Sequence, residues 1–317
     1  MNYVDISEGT SPSRAARLAR KVGANARSIG AALLGAGPVY VSANAGGGMW
    51  LSAVACAAAR LRRRRLLIHH HSYDYVAGRK FRMAVLARMA GPQSTHLVLG
   101  ASMASELALR THEIRSTFVL NNAGLVDECL LQLPPRNDDA VVLGHLSNLT
   151  AQKGVAGVID LATAALEHGL SPKLILAGPA NDDVARHAID RAAAMLGDKF
   201  EYRGPVYDDD KRRFFADISH FVFPTRYKNE ASPLVLFEAM AAGVPCIATA
   251  RGCIAEDLGS DGGIAIPEQD DFIVGALDYL VRSSEDYAAS SHRARQRYLT
   301  LLAEHEKQIE ELVSMLR

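Results

Sequence analysis

The chain has 317 residues, 35 Lys+Arg against 35 Asp+Glu, and is 49% hydrophobic but only 6% aromatic, which is enough for two α/β domains with separate cores. No run of about eighteen apolar residues occurs, so no transmembrane helix is expected, and the opening MNYVDISEGTSPSR lacks the apolar centre of a signal peptide. Cys56, Cys129, Cys246 and Cys253 show neither CxxC nor ligand-like spacing, so buried, reduced thiols in a cytoplasmic protein are expected.

Residues 1–137 carry 17 Lys+Arg against 7 Asp+Glu, and residues 138–317 carry 18 against 28, so a +10 half precedes a −10 half. A basic half suits an anionic partner such as phospholipid headgroups or a lipid-diphosphate acceptor. Nucleic acid is not expected, because no recognition module or basic–aromatic interleaving is present.

In chain order, Ser13–Leu34 reads as an Arg- and Ala-rich helix and Val39–Ser42 as a short strand. The turn Ala45-Gly46-Gly47-Gly48 serves either as a phosphate cradle or as a close-packing turn. A helix follows from Trp50 to Arg65, its closing Arg62–Arg65 suited to the helix dipole or to a membrane surface. Leu66–His70 is the next strand and runs into His69-His70-His71-Ser72. Polar residues at the C-terminal end of a parallel strand are where α/β sheets bind ligands. Alternate strand side chains point to opposite faces, so these histidines do not form a metal site, and none is expected elsewhere.

Helices at Arg79–Met89 and Ser102–Arg110 and strands at His96–Leu99 and Thr117–Leu120 complete the first half, which ends in Asn121-Asn122-Ala123-Gly124. Two prolines and charges mark Leu131–Asp139 as a linker. The second half alternates regularly: strands at Val141–Gly144, Lys173–Ala177 and Phe200–Tyr202, and helices at Val155–His168, Asp182–Leu196 and Asp209–Phe215. Strand Ile264–Pro267 and a helix to Val281 come later, before a long helical tail from Ser284 with Tyr287, Tyr298, Leu301, Leu302, Ile309, Leu312 and Leu316 as its apolar stripe.

The central stretch is Phe221–Glu256. Strand Phe221–Phe223 stops at Pro224, a helix is punctuated by Ser232 as N-cap, Pro233 at its first position and Gly243 at its end, and strand Cys246–Thr249 follows. This is a βαβ unit of a parallel sheet. Glu230 precedes the helix and Glu238 lies within it, eight residues on. That spacing rises about 12 Å along a helix, too far for the roughly 5 Å carboxylate pair of a retaining glycosidase. The two acids are placed to grip two ends of an extended ligand, with the helix N-terminus between them suited to a diphosphate. Glu238 sits among Leu236, Phe237, Ala239 and Met240, so its carboxylate requires a ligand hydroxyl or a buried partner.

The run Glu230-Ala-Ser-Pro-Leu-Val-Leu-Phe-Glu238 resembles the E-x7-E signature of retaining GT-B glycosyltransferases of family 4. The resemblance covers the second half closely and the first half loosely. It implies an α/β, GT-B architecture of two Rossmann-like doubly wound domains facing a cleft, the N-terminal one reduced. The expected divisions are 1–135, a short, basic acceptor-side domain; 136–290, the nucleotide-sugar domain; and 291–317, a helix returning to the first domain. By the same resemblance Glu230 meets the donor sugar, Glu238 the ribose, and the helix start at Pro233, Leu234 and Val235 the diphosphate.

Ser147–Gly154 resembles the family's G-R-L-x-x-x-K-G stretch. Lys153 then neutralises the diphosphate, while Asn148 stands where the family has arginine, with Arg226 or Lys228 as alternative cations. The turn Arg203-Gly204-Pro205-Val206 lies where the family holds the base, and Gly252-Cys253-Ile254-Ala255-Glu256 resembles G-G-I-x-E with cysteine in place of a glycine. The histidine tract resembles H-x-H-S, in which a histidine faces the reacting sugar; His71 is the candidate and His69 the next. The family's first strand and Gly-Gly loop have no counterpart at Met1–Ile6, so either a reduced domain or a missing N-terminal piece is expected.

The implied activity is metal- and cofactor-independent retaining hexosyl transfer from a nucleotide-diphosphate sugar to a hydroxyl of a glycan or lipid-linked acceptor, with Glu230, His71 and Lys153 as catalytic residues. The expected location is the cytoplasm, peripheral to the inner membrane face. The rival readings are a non-catalytic or partner-dependent subunit binding nucleotide sugar or glycan, and a nucleotide-sugar epimerase. A dehydrogenase is disfavoured because GxGxxG with a downstream acid is absent.

Overall fold

The computed structural model describes residues 29–43, 45–78, 81–136 and 140–316. The expected N-terminal helix lies outside the described residues as far as residue 28, as do Arg79, Lys80 and residues 137–139 of the expected linker; residues 29–34 are helical. Among the described residues the chain forms two compact units, one of residues 29–120 with 311–316 and one of residues 121–310.

The first unit is built on four parallel strands, β1 (Val39–Ala43), β2 (Leu66–His70), β3 (Thr95–Val98) and β4 (Thr117–Val119), in the order β1-β2-β3-β4. They are joined by α1 (Met49–Leu61), α2 (Phe81–Ala90) and α3 (Ala101–Arg110). Each crossover steps the same way, and right-handed crossovers then place all three helices on one face. Strand alternation sorts the histidines. Ile68 is in register with His96 and His69 with Leu97, so His70 and His96 share one face and His69 joins Leu67 and Leu97 on the other. The Leu67 and Leu97 face is covered by Leu312 and Leu316 together with Phe118 and Leu120.

The helix expected to reach Arg65 stops at Leu61, with Arg62 as C-cap and Arg63 at φ +53°. The physical reason lies in Arg64, whose guanidinium donates to the carbonyls of Ala31 (2.7 Å), Ala32 (2.9 Å), Ala36 (3.1 Å) and Gly37 (2.7 Å). Arg65 likewise donates to the Met315 carbonyl. Two of the four arginines thus satisfy carbonyls at helix C-termini, where cations are most favourable.

The second unit holds six parallel strands, β5 (Val142–Leu146), β6 (Lys173–Ala177), β7 (Phe200–Tyr202), β8 (His220–Phe223), β9 (Cys246–Thr249) and β10 (Gly263–Ile266). Their order is β10-β9-β8-β5-β6-β7. The chain winds one way from β5 to β7 and the other way from β8 to β10, so the direction reverses between β5 and β8. Such a switch point opens a crevice at the carboxyl ends of the two strands. Both faces are covered, which is why β8 and β9 are buried along their whole length and carry apolar residues at consecutive positions, Phe221–Phe223 and Cys246–Ala248.

On one face α4 (Val155–Glu167), α5 (Asp183–Leu196) and α9 (Phe272–Glu285) pack Ile159, Ala185 and Leu280 against Leu143, Leu174 and Val222. On the other, α6 (Asp208–Asp217), α7 (Leu234–Ala241), α8 (Ile254–Leu258) and α10 (Tyr287–Leu316) pack Phe214, Phe237, Leu258 and Tyr298 against Phe221 and Phe223. Along α10 the buried positions are Ser290, Ser291, Ala294, Tyr298, Leu301 and Leu312. Ile309, expected in the apolar stripe, is exposed instead.

Candidate functional site

The two strands flanking the switch point carry the loops that matter. After β5 the chain makes a turn at Ala151–Lys153, capped by Thr150, whose hydroxyl accepts from the Lys153 amide at 3.3 Å. Gly154 follows at φ +81°, where an added Cβ would stand 2.1 Å from the Pro224 carbonyl oxygen. Only glycine allows that approach. The Arg226 amide also donates to the Gln152 carbonyl at 2.8 Å, so the loops after β5 and β8 are joined backbone to backbone.

That junction sets the ion pair at the centre of the site. Lys153 Nζ lies 2.6 Å from Glu230 Oε2, and the Thr225 hydroxyl donates to the same oxygen at 3.1 Å. Glu230 is buried at 8% exposure, so its charge depends on these two donors. The ammonium also lies 5.4 Å from the Phe223 ring centroid and 5.0 Å from that of Tyr227, a cation–π setting that holds it in place. Arg226 and Lys228 are exposed, and among the described residues neither pairs with Glu230.

Helix α7 opens directly after this loop. The expected Ser232 cap is corrected: Pro233 is the N-cap at ψ 122°, and its carbonyl accepts from the Leu236 amide at 3.1 Å. Ser232 is diverted because its hydroxyl donates to Asp257 Oδ2 at 2.8 Å. Leu234 and Val235, half-buried, supply the first-turn amides, which have no partner within a helix. Glu238, 6% exposed, faces away from solvent, and the partner its charge requires is Lys211 of α6, whose Nζ donates to Oε1 at 2.8 Å.

The loop from Glu230 to Pro233 is braced from below. Gly252 at φ +60° lies so close that a Cβ would sit 2.4 Å from the Ala231 carbonyl and 2.6 Å from that of Glu230. The Cys253 amide donates to the Ala231 carbonyl at 2.6 Å. The left-handed conformation falls on Gly252, and Cys253, which stands in place of a glycine, sits unstrained at φ −92°. Asp257 is 2% exposed, and burial pushes its carboxyl up to about 8. Beneath the Lys153 loop, buried His145 donates from Nδ1 to the Val222 carbonyl at 2.7 Å and lies 2.9 Å from the Ser147 hydroxyl through Nε2. Desolvation lowers its pKa to about 4, so it serves as a neutral prop.

The structure thus brings Lys153 and Glu230 into direct contact and sets Glu238 and the Leu234 and Val235 amides on the adjoining helix. Asn148 is exposed on the β5 loop, and Val206 is buried in the turn after β7. His71 belongs to the other unit. It is exposed just past β2, its ring 4.0 Å from that of His69, which bonds the Tyr40 hydroxyl at 2.5 Å. His70 is wholly buried and bonds His96 at 2.8 Å. Sequence reasoning missed Lys211, Thr225, Ser232 as an acid's partner, and Asp257. Lys211 reads as one solvated charge of Asp-Asp-Asp-Lys-Arg-Arg, and only the sheet's winding places it over Glu238. Among the described residues no group of three His, Cys, Asp or Glu is placed to hold a metal ion, and no helix is long and apolar enough to cross a membrane.

Solved structures share this architecture. HepE of Anabaena in complex with UDP is 17% identical, with 92% of this chain and 82% of that one covered at a TM-score of 0.71. Sucrose-phosphate synthase from Thermosynechococcus elongatus is 20% identical over 97% and 80% of the two chains, TM-score 0.69. A glycosyltransferase from Rickettsia africae is 14% identical over 96% and 84%, TM-score 0.62. At such identities the likeness speaks for the fold, which is GT-B. No curated protein matches the sequence. The family described as Glycosyl transferases group 1 matches residues 132–297, a span that holds every element of the Lys153–Glu230–Glu238 site. That span is more than half of the 317 residues, and the chain belongs to the glycosyl transferases group 1.

Proposed function

We propose that the chain is a family 4 retaining hexosyltransferase, working without a metal, that moves a hexose from a nucleoside-diphosphate sugar to a hydroxyl of a glycan or lipid-linked acceptor. The observation that carries this reading is the 2.6 Å pair of Lys153 and Glu230 at the switch point, beside the free amides that open α7. A diphosphate placed at those amides competes for Lys153. As the ammonium turns to the phosphates, Glu230 exchanges its cation for the donor sugar's hydroxyls. Charge developing on the leaving diphosphate is then met by Lys153 and by the Leu234 and Val235 dipoles, and electrostatic stabilisation of this kind is usually the largest catalytic contribution.

Glu238 takes the ribose hydroxyls while Lys211 holds its second side in place. Val206 and its turn border the base, Asn148 offers a neutral hydrogen bond beside the phosphates, and His71 is the candidate catalytic histidine. HepE has been solved with UDP and with UDP-glucose, which favours uridine donors as the first to assay. The basic first half supports an acceptor carrying phosphate or lying at an anionic membrane face. Proton NMR of the product tests the stereochemistry: the transferred hexose keeps the anomeric configuration of its donor, at a rate unchanged by EDTA. An inverted product, or loss of activity on chelation, would overturn this reading.

A further inference from the structure

The first unit holds a second concave site, at the amino-terminal edge of β2 and β3, the sheet edge opposite to His71. It is a cavity of about 280 Å³ lined by Arg60, Arg63, Arg64, Leu66, Ala90 and the turn Gly91–Ser94. Three guanidiniums share this hollow with no acidic residue in its lining. The sequence around it is basic as well, since residues 29–90 contain nine Lys and Arg and one acid, Asp74, and Glu113 pairs with the neighbouring Arg88 at 3.7 Å rather than with a lining arginine. Like charges gathered in a concavity focus a positive field that an anion relieves.

Two of the three arginines are held by backbone carbonyls, and the third follows from the backbone conformation at its position. Arg60 donates to the Arg88 carbonyl at 2.8 Å and lies against Gly91, where a Cβ would stand 2.8 Å from its Cζ. Arg64 is fixed by the carbonyls it caps, so it contributes charge from a set position. Arg63 is one of only two non-glycine residues at positive φ among those described, a backbone state that persists where the surroundings over-determine it. Ser94, 3% exposed, donates its hydroxyl to the Gly91 carbonyl at 2.6 Å and fixes the turn that closes the hollow.

We propose that this pocket binds a phosphomonoester or diphosphate group. Guanidinium forks match phosphate oxygens two at a time, and several clustered cations favour a group bearing two charges over a single carboxylate. Leu66, Ala90 and Pro92 form an apolar wall for the stem that carries the phosphate. The volume lies just below the usual small-molecule range of roughly 300–1,000 Å³, which suits a phosphate with a short organic group. The same chemistry is offered by a free phosphorylated metabolite and by a phospholipid headgroup. The pocket does not depend on the transfer reaction proposed above.

Pyrophosphate is the probe, titrated calorimetrically into the Lys153→Ala chain so that binding at α7 is suppressed. Saturable, salt-sensitive binding is expected, weakened about tenfold or more in an added Arg60→Gln/Arg63→Ala pair, with unchanged circular dichroism. Arg63→Ala alone serves if the pair does not fold, and Arg64 is left intact because it caps the segment before β1. Vesicles of phosphatidylcholine with and without phosphatidic acid separate the sources. Arg63-dependent sedimentation with the acidic vesicles marks a membrane-borne ligand, and pyrophosphate binding without sedimentation marks a soluble one. No saturable binding, or binding indifferent to the arginine variants, would overturn the proposal.

Discussion

In the proposed reaction Lys153 does two jobs with one charge. It compensates a carboxylate that is 8% exposed, and it stands where the account requires a cation for a leaving diphosphate. Removing it therefore damages the resting protein as well as the reaction. Lys153→Ala is expected to lower stability by about 3 kcal/mol, the scale for stranding one member of a buried pair, and Lys153→Ala/Glu230→Gln to recover most of that loss while remaining inactive. Chemical denaturation of the three chains checks this; equal stability of the single and double variants would contradict it. Glu238 was legible in the sequence because an acid in an apolar helix is an anomaly of pattern, whereas Glu230 and Lys153 were singled out by the family resemblance of the stretches that carry them. Lys211 and Asp257 were not, since nothing along the chain distinguishes a charge that folding buries from one it leaves in water.

At the scale of elements, the site depends on backbone approaches more than on side chains. The Glu230 loop rests on Gly252, where a Cβ would meet two carbonyl oxygens at 2.4 and 2.6 Å, and the φ of +60° disfavours any other residue. Gly252→Ala is expected to destabilise the fold by roughly 2 kcal/mol or more and to weaken nucleotide binding, because Glu230 and the start of α7 must move. Thermal melts with and without UDP measure both effects, and a variant matching the parent in both would refute the bracing role. The strand–helix alternation was readable because buried parallel strands leave unbroken apolar runs. Element ends were less so. Helix α1 stops four residues early since Arg64 is better used on four distant carbonyls, and α7 begins one residue late because Ser232 bonds Asp257; both depend on partners far along the chain.

Across the whole molecule, buried titratable groups pull stability in opposite directions with pH. His96 and His145 are lowered to about 4 and His220 to about 3, all by burial. Below the unfolded value of about 6.5 the unfolded chain binds more protons, so stability is lost as pH falls toward those values. Asp257, raised to about 8, acts the other way: from about 4 to 8 the folded state binds more protons, and stability falls as pH rises. Unfolding free energy should therefore climb to about pH 6.5 and decline gently beyond it. Asp257→Asn, which keeps an oxygen for Ser232, should abolish the decline and spare the acid limb. Parallel profiles for the two proteins would exclude this role for Asp257. The class of the fold was legible from composition and alternation, whereas the reversal of winding between β5 and β8, which makes the crevice, appears only in the strand order.

The central claim is that Lys153, Glu238 and the start of α7 form a nucleotide-diphosphate site. Titration calorimetry of UDP, GDP and ADP into the purified chain tests it most directly, with Lys153→Ala and Glu238→Ala alongside. The account predicts saturable binding of one nucleotide, weakened at least tenfold in each variant, about 1.4 kcal/mol or more. Absence of binding to all three, or affinity untouched by both substitutions, would contradict it.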